Sequence, residues 1–253
     1  MKLLLISNST NYREPYLGWC QSLLTDFMKD SAEEILFVPY AGVDVGGKVY
    51  PESCDSYTAR VRAVFEKLGK KILSVHEVKD PVKAVNEAKQ IMVGGGNTFH
   101  LVAELHNNKL IEPIRRKVME GTPYIGWSAG SNVACPTLCT TNDMPIVMPK
   151  SFKCLDLVPF QINPHYIDPY PENINDAIRH GGETRQVRLN EFLAVNQQIT
   201  VVGLRESTAL WVENCNITLK GTRDMIVLRY GCDPQEIAPE SMFDFGIKPL
   251  NMV

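Results

Sequence analysis

Tyr124-Ile125-Gly126-Trp127-Ser128-Ala129-Gly130 sets a serine between two glycines, directly after an apolar run and before a stretch that can open a helix. Glycine has no Cβ, so such a strand-to-helix turn can reverse sharply and lift Oγ of Ser128 into solvent at the carboxyl edge of a sheet, the position of a nucleophile. The bland alternative is a glycine-rich turn whose serine caps a helix. A second turn of the same kind lies in Ile91-Met92-Val93-Gly94-Gly95-Gly96-Asn97-Thr98-Phe99. Three consecutive glycines let backbone N–H groups approach a ligand closely, as stabilisation of an oxyanion requires. The run has neither G-x-G-x-x-G spacing nor a Gly-Lys-Ser/Thr ending, which disfavours a phosphate cradle.

A serine nucleophile needs a base. Of the five histidines, His100 and His106 fall in a helical stretch, His76 follows a strand, and His180 sits beside Gly181-Gly182. His165 leads, because in Gln161-Ile162-Asn163-Pro164-His165-Tyr166 an apolar approach ends at a proline, which stiffens the backbone and fixes where the next side chain points. A base in turn needs an acid to hold its tautomer. Asp143 and Glu206 both sit at the ends of ordered segments, and spacing does not choose between them.

These residues require a frame that delivers them to one edge. Apolar runs at Leu3–Ser7, Ile35–Val38, Lys71–Val75, Gln90–Val93 and Pro123–Trp127 predict strands, separated by segments of helical spacing such as Leu17, Cys20, Leu23, Leu24 and Phe27. The βαβα order predicts an α/β fold with a mostly parallel, doubly wound sheet and helices on both faces. Both glycine turns then open on the same edge. From Ser128 on, seven prolines between Pro136 and Pro171 punctuate a stretch that reads as mostly loop. Glu183–Ala194 returns to helical spacing. Short strands at Ile199–Leu204, Ala209–Val212, Ile217–Leu219 and Met225–Arg229 read as an antiparallel extension at the edge of the sheet. The last twenty or so residues carry no assigned role.

The chain has 253 residues, 44% of them hydrophobic, and a formal net charge of -3. At that length folding buries roughly 70–75% of the surface of the unfolded chain, enough for one α/β domain spanning 1–253 without staples. The near-neutral balance argues against nucleic acid or an anionic membrane as partner and favours a small-molecule substrate. Seven cysteines, odd in number and without a C-x-x-C pair, imply neither a disulfide framework nor a metal site. The apolar start at Met1–Ile6 ends at once in Ser7-Asn8-Ser9-Thr10, too short for a signal peptide or a membrane span, so a cytoplasmic protein is expected.

Taken together the motifs resemble peptidase E, the α-aspartyl dipeptidases of the S51 serine peptidase group. The resembling stretches are Leu4–Ser9, Pro39–Val43, Val93–Phe99, Tyr124–Gly130, Thr140–Val147, Gln161–His165 and Gly182–Arg185, in the family's order over most of the chain. The resemblance implies a fold related to the class I glutamine amidotransferases, with Ser128 as nucleophile and His165 as general base. Gly96 and Ala129 would supply the oxyanion hole, and Asp143, ranked ahead of Glu206, the third catalytic member. It further implies a serine exopeptidase that cleaves the α-peptide bond of Asp-X dipeptides, without metal or organic cofactor, as a monomer or homodimer. For the aspartate side chain a guanidinium suits best, so Arg185 of Gly-Glu-Thr-Arg is the expected substrate contact, with Arg188 second and Asn97 as a polar contact. A non-catalytic relative binding acidic peptides, and a hydrolase of another aspartyl polymer resembling the cyanophycinases, are the alternatives. Three stretches depart from the family's pattern: the segment from Ile167 to Gly181 and loop 42–54 are longer, and Leu204-Arg205-Glu206-Ser207-Thr208 differs from the bacterial members.

Overall fold

The computed structural model describes residues 1–169, 183–243 and 245. The chain runs β1 (Lys2–Ile6), α1 (Gln21–Met28), β2 (Glu34–Val38), a small hairpin of β3 (Asp44–Val45) and β4 (Lys48–Val49), α2 (Ser53–Phe65) and β5 (Lys71–Ser74). It continues through α3 (Pro81–Glu87), β6 (Ile91–Val93), α4 (Thr98–Asn107), α5 (Ile111–Met119), β7 (Tyr124–Trp127), α6 (Ala129–Asn132) and β8 (Gln161–Pro164). The remainder is α7 (Arg185–Val195), β9 (Thr200–Leu204), β10 (Thr208–Glu213), β11 (Asn216–Gly221), β12 (Met225–Arg229), β13 (Gln235–Ile237) and β14 (Met242–Phe243).

The fold is mixed α/β. A large sheet of order β14-β11-β10-β1-β7-β6-β2-β5 is parallel from β1 to β5 and antiparallel at its β10, β11 and β14 end. Its parallel strands are apolar on both faces, as helices on both sides demand. Leu3 and Leu5 of β1 enter one cluster with Val38, Val93 and Tyr124, while Leu4 and Ile6 enter the other with Phe37, Met92 and Trp127. Helix boundaries follow local chemistry: the Asp80 carboxylate accepts from Lys83 N ahead of Pro81, and Gly69 ends the turn after α2 with φ of 71°. All seven cysteines carry free thiols. Among the described residues no helix is long and apolar enough to cross a membrane.

The Pro-rich half departs from the sequence reading in one important way. Gln161–Pro164, read there as part of a loop, is a strand, and with β9, β12 and β13 it forms a second sheet of order β13-β12-β9-β8. Among the described residues Thr208–Glu213, Asn216–Gly221 and Met242–Phe243 extend the main sheet; β9 and β12 do not. The reason lies in the pairing: β8 lies parallel to β9, Asn163 opposite Gly203 and Pro164 opposite Leu204, so β9 is held away from the main sheet's edge. One face of the second sheet joins the main core through Ile162, Val202 and Leu204. Its other face, with Val201, Ile226 and Leu228, lies under Leu189 and Leu193 of α7.

A buried cation fixes the carboxyl ends of β8 and β9. Arg205, 7% exposed, donates from Nε and Nη2 to Asp168 at 2.7 and 2.5 Å, from Nη1 and Nη2 to Glu236 at 2.7 and 2.8 Å, and from Nη1 to Asp224 O at 2.8 Å. Its hydrogen bonds hold the Asp168 carboxyl below the usual carboxylate range. A depressed native value means a stabilisation present above the unfolded Asp value, about 3.9, and lost as pH falls through the native one. Asp168→Asn therefore lowers the melting temperature most at neutral pH. Melts at successive pH values should show the gap between wild type and variant closing below about pH 4.

Candidate active site

Two parallel strand pairs aim four loops at one place. β6 and β7 are neighbours in register, Val93 opposite Gly126, so the Gly94–Gly96 run and Ser128 leave the main sheet side by side. Close approach explains the glycines. A Cβ on Gly126 would stand 2.3 Å from Gly130 O, and one on Gly130 would stand 2.1 Å from Val93 O. Gly96 has φ of 136°, and a Cβ there would lie 2.1 Å from Ala41 O. Ser128 itself has φ of 54° and ψ of -113°, a region that a residue with a side chain occupies only when its surroundings compel it. Here the Ser128 N–H donates to Ile6 O at 3.0 Å and the Ser128 carbonyl accepts from Ser131 and Asn132.

The second sheet brings the partners. His165 follows β8 and Glu206 follows β9, also parallel neighbours. The His165 ring lies with Nε2 3.0 Å from Ser128 Oγ and Nδ1 2.8 Å from Glu206 Oε1. An ionised carboxylate only accepts, so Nδ1 carries the proton; in the neutral ring Nε2 then offers its lone pair to the Ser128 hydroxyl. His165 also has positive φ, 52°, and its N–H donates to Ser7 Oγ at 3.0 Å. The approach to it is laced down by Asn142 Nδ2, which donates to Pro164 O at 2.6 Å, and by Asn132 Nδ2, which donates to Ile162 O at 2.7 Å.

Asp143, ranked first as the acid, does not reach His165. Its Oδ2 accepts from the N–H and hydroxyl of Thr98 at 2.7 and 2.6 Å and from Thr141 Oγ1 at 3.0 Å, at the amino end of α4. A carboxylate is well placed there, where free helix N–H groups carry partial positive charge. Glu206 holds the imidazole instead. Among the described residues the N–H groups of Gly96 and Ala129, one on each of the two glycine turns, donate to no acceptor.

The model of peptidase family S51 matches residues 3–220. The chain belongs to peptidase family S51. It is similar to peptidase E of Nostoc sp., 45% identical over 244 residues that cover 96% of each chain. To peptidase E of Streptomyces coelicolor it is 46% identical over 238 residues, 94% of this chain and 91% of the relative. The crystal structure of a peptidase from an acI-B1 actinobacterium shares the fold, with a TM-score of 0.66 over 96% of both chains at 16% identity. S51 membership supports a peptidase function.

Against that family background the remaining expected residues separate. Arg185, first residue of α7, is half-buried, and among the described residues its Nε is a buried donor without a partner. Burial lowers its proton affinity while the Asp143 carboxylate acts through space to raise it. Arg188, the second choice, is on the exposed side of α7 and is compensated by Glu183 and Glu191. Asn97 is the N-cap of α4: Oδ1 accepts from His100 N at 3.0 Å and Nδ2 donates to Met144 O at 2.9 Å, so it ties two loops together. His76, His100 and His106 hold Asp55, Tyr40 O and Lys153 O respectively, away from Ser128. His180 and most of the segment 167–181 lie outside the described residues. Loop 42–54 is the β3–β4 hairpin and the start of α2, anchored to α4 where Tyr50 donates to Glu104 at 2.7 Å.

Nothing in the sequence alone singles out Ser7, Tyr57 or Arg205. Ser7 is the polar residue that closes β1, and only its place at the carboxyl edge distinguishes it. The pairing of His165 makes a direct prediction. In proton NMR the carboxylate-bound Nδ1–H of His165 should vanish in Glu206→Ala and persist in Asp143→Asn; the reverse pattern would return Asp143 to the imidazole.

Proposed function

We propose that this S51 chain is a serine exopeptidase that hydrolyses the α-peptide bond of dipeptides with N-terminal L-aspartate through an acyl-enzyme on Ser128. The observation that carries the reading is the line Glu206–His165–Ser128, 2.8 and 3.0 Å, together with the backbone N–H groups of Gly96 and Ala129, which have no acceptor among the described residues. His165 Nε2 takes the Ser128 proton as Oγ attacks the scissile carbonyl, and Glu206 keeps the imidazole in the tautomer able to do so. The oxyanion forms between the N–H groups of Gly96 and Ala129. Each such donor contributes roughly 10²–10³ in rate, because it is already oriented when charge develops. The imidazolium then protonates the leaving amine. Water, deprotonated by the same nitrogen, releases aspartate and restores the hydroxyl.

Specificity for aspartate rests on Arg185. A half-buried guanidinium whose Nε–H has no acceptor among the described residues gains most from a carboxylate, and a bidentate pair discriminates by shape as well as charge. The substrate's α-ammonium needs an anion as well. Glu206 is engaged by His165, whereas Oδ1 of Asp143 accepts nothing among the described residues and lies within electrostatic reach of Arg185. We assign the ammonium to Asp143. A protein that only binds acidic peptides has no use for a strained serine aligned on a histidine.

Steady-state kinetics on Asp-Leu and Asn-Leu tests the assignment. Wild type should prefer Asp-Leu by about 10² or more, since an Asn leaves the half-buried Arg185 without a substrate carboxylate. Arg185→Ala should lose most of that preference. Equal selectivity in both enzymes would remove Arg185 from the pocket.

A further inference from the structure

The three glycines that precede Asn97 have no side chains to resist rotation of their peptide units, yet the reading above needs one of those units to face one way only. In a trans peptide the C=O of residue 95 and the N–H of residue 96 share a plane and point in opposite directions. A flip of the Gly95–Gly96 peptide would turn a carbonyl oxygen, with its partial negative charge, toward the place where the oxyanion forms. Something outside the glycine run has to hold it.

Tyr57 of α2 makes that contact. Its hydroxyl donates to Gly95 O at 2.9 Å and accepts from Trp127 Nε1 at 3.0 Å and from the Tyr16 hydroxyl at 3.3 Å. A phenol has one proton and two lone pairs, and indole N–H only donates, so all three valences are spent and Gly95 O is the acceptor left for the proton. The ring is 4% exposed and packs edge-on to Phe37, with centroids 5.3 Å apart. Built Cβ atoms on Gly42 and Gly94 would lie 2.4 and 2.6 Å from Tyr57, so the backbone closes around it. Burial pushes the phenol up to about 12, which keeps it a donor at neutral pH. One oxygen therefore joins both turns: Trp127 precedes Ser128, and Gly95, whose Cβ would stand 2.8 Å from Ser128 Cβ, precedes Gly96.

We infer that Tyr57 is a positioning residue for catalysis, its hydroxyl locking the Gly95–Gly96 peptide so that the Gly96 N–H faces the oxyanion formed at Ser128. The inference rests on the serine mechanism proposed above and adds to it a residue remote from substrate.

The test compares Tyr57→Phe with Tyr16→Phe, which loses a hydroxyl from the same cluster but leaves the Tyr57–Gly95 bond. The probes are Asp-Leu turnover, L-aspartate binding, and binding of the boronic acid analogue of aspartate, whose tetrahedral adduct puts an oxygen where the oxyanion would be. Tyr57→Phe, once its cooperative melt confirms that it folds, should lower kcat about 10- to 100-fold with KM and L-aspartate affinity within about twofold. Boronate affinity should fall in step with kcat, and Tyr16→Phe should match wild type. Unchanged kcat and boronate affinity in folded Tyr57→Phe, or an equal fall in aspartate and boronate affinity, would overturn the inference. Wild type gives a second reading that depends on no variant: the carbonyl carbon resonance of Gly95 should keep its hydrogen-bonded shift when boronate binds, while the Gly96 amide proton moves downfield. Loss of that Gly95 shift would equally overturn it. Ser128→Ala separates the two levels, because retained turnover there would remove the serine mechanism itself, whatever Tyr57 does.

Discussion

The hydroxyl of Ser7 is the joint on which the site depends. It donates to Leu204 O at 2.8 Å and accepts the His165 N–H at 3.0 Å, so one side chain at the end of β1 ties down the ends of both β8 and β9. Next to it the Asn8 carboxamide accepts from Ser207 N at 2.8 Å, and the Ser7 N–H donates to Thr208 O. The chain thus passes from the second sheet through Arg205, Glu206 and Ser207 straight into β10 of the main sheet. Ser128 belongs to one sheet and His165 to the other. Without this seam, the 3.0 Å contact between them would rest chiefly on the apolar core that the two sheets share.

Strain collects where the layers meet. Ser128, His165 and Ser207 all adopt positive φ despite carrying side chains, each at a cost of about 1–3 kcal/mol that the surrounding hydrogen bonds offset. The glycines divide their labour: Gly126 and Gly130 permit close backbone contact, and Gly96 alone of the glycine run needs a conformation closed to other residues. Arg205 fixes the other flank, with Asp168 three residues past His165 and Glu206 next in sequence. Two carboxylates on one buried guanidinium are worth retaining there because losing either leaves N–H donors of Arg205 without acceptors.

Much of this was legible in the sequence, for identifiable reasons. Strands flanked by long helices advertise themselves by periodicity, so β1, β2, β5, β6 and β7 and the common edge of the two glycine turns follow from pattern. Ser128 and His165 stand out because glycine permits a sharp turn around the one and proline restricts the backbone before the other. Four-residue β8 does not, since Pro159 precedes it, Pro164 ends it and so short a run has no period to read. Without β8 in view, the pattern of short strands places β9 and β12 at the edge of the main sheet rather than in the second one. The choice between Asp143 and Glu206 is likewise a matter of tertiary register, Pro164 against Leu204, that no local spacing encodes. Tyr57 is further from view still: an α2 tyrosine looks like core until its hydroxyl is seen on Gly95.

The central claim is that Ser128 is a nucleophile activated by His165. Reaction with a fluorophosphonate, followed by peptide mapping in a mass spectrometer, addresses it directly. The account predicts one adduct per chain, on Ser128, formed in step with loss of Asp-Leu hydrolysis and nearly absent in His165→Ala. Complete inhibition with Ser128 unmodified, or full hydrolysis with Ser128 fully modified, would contradict it.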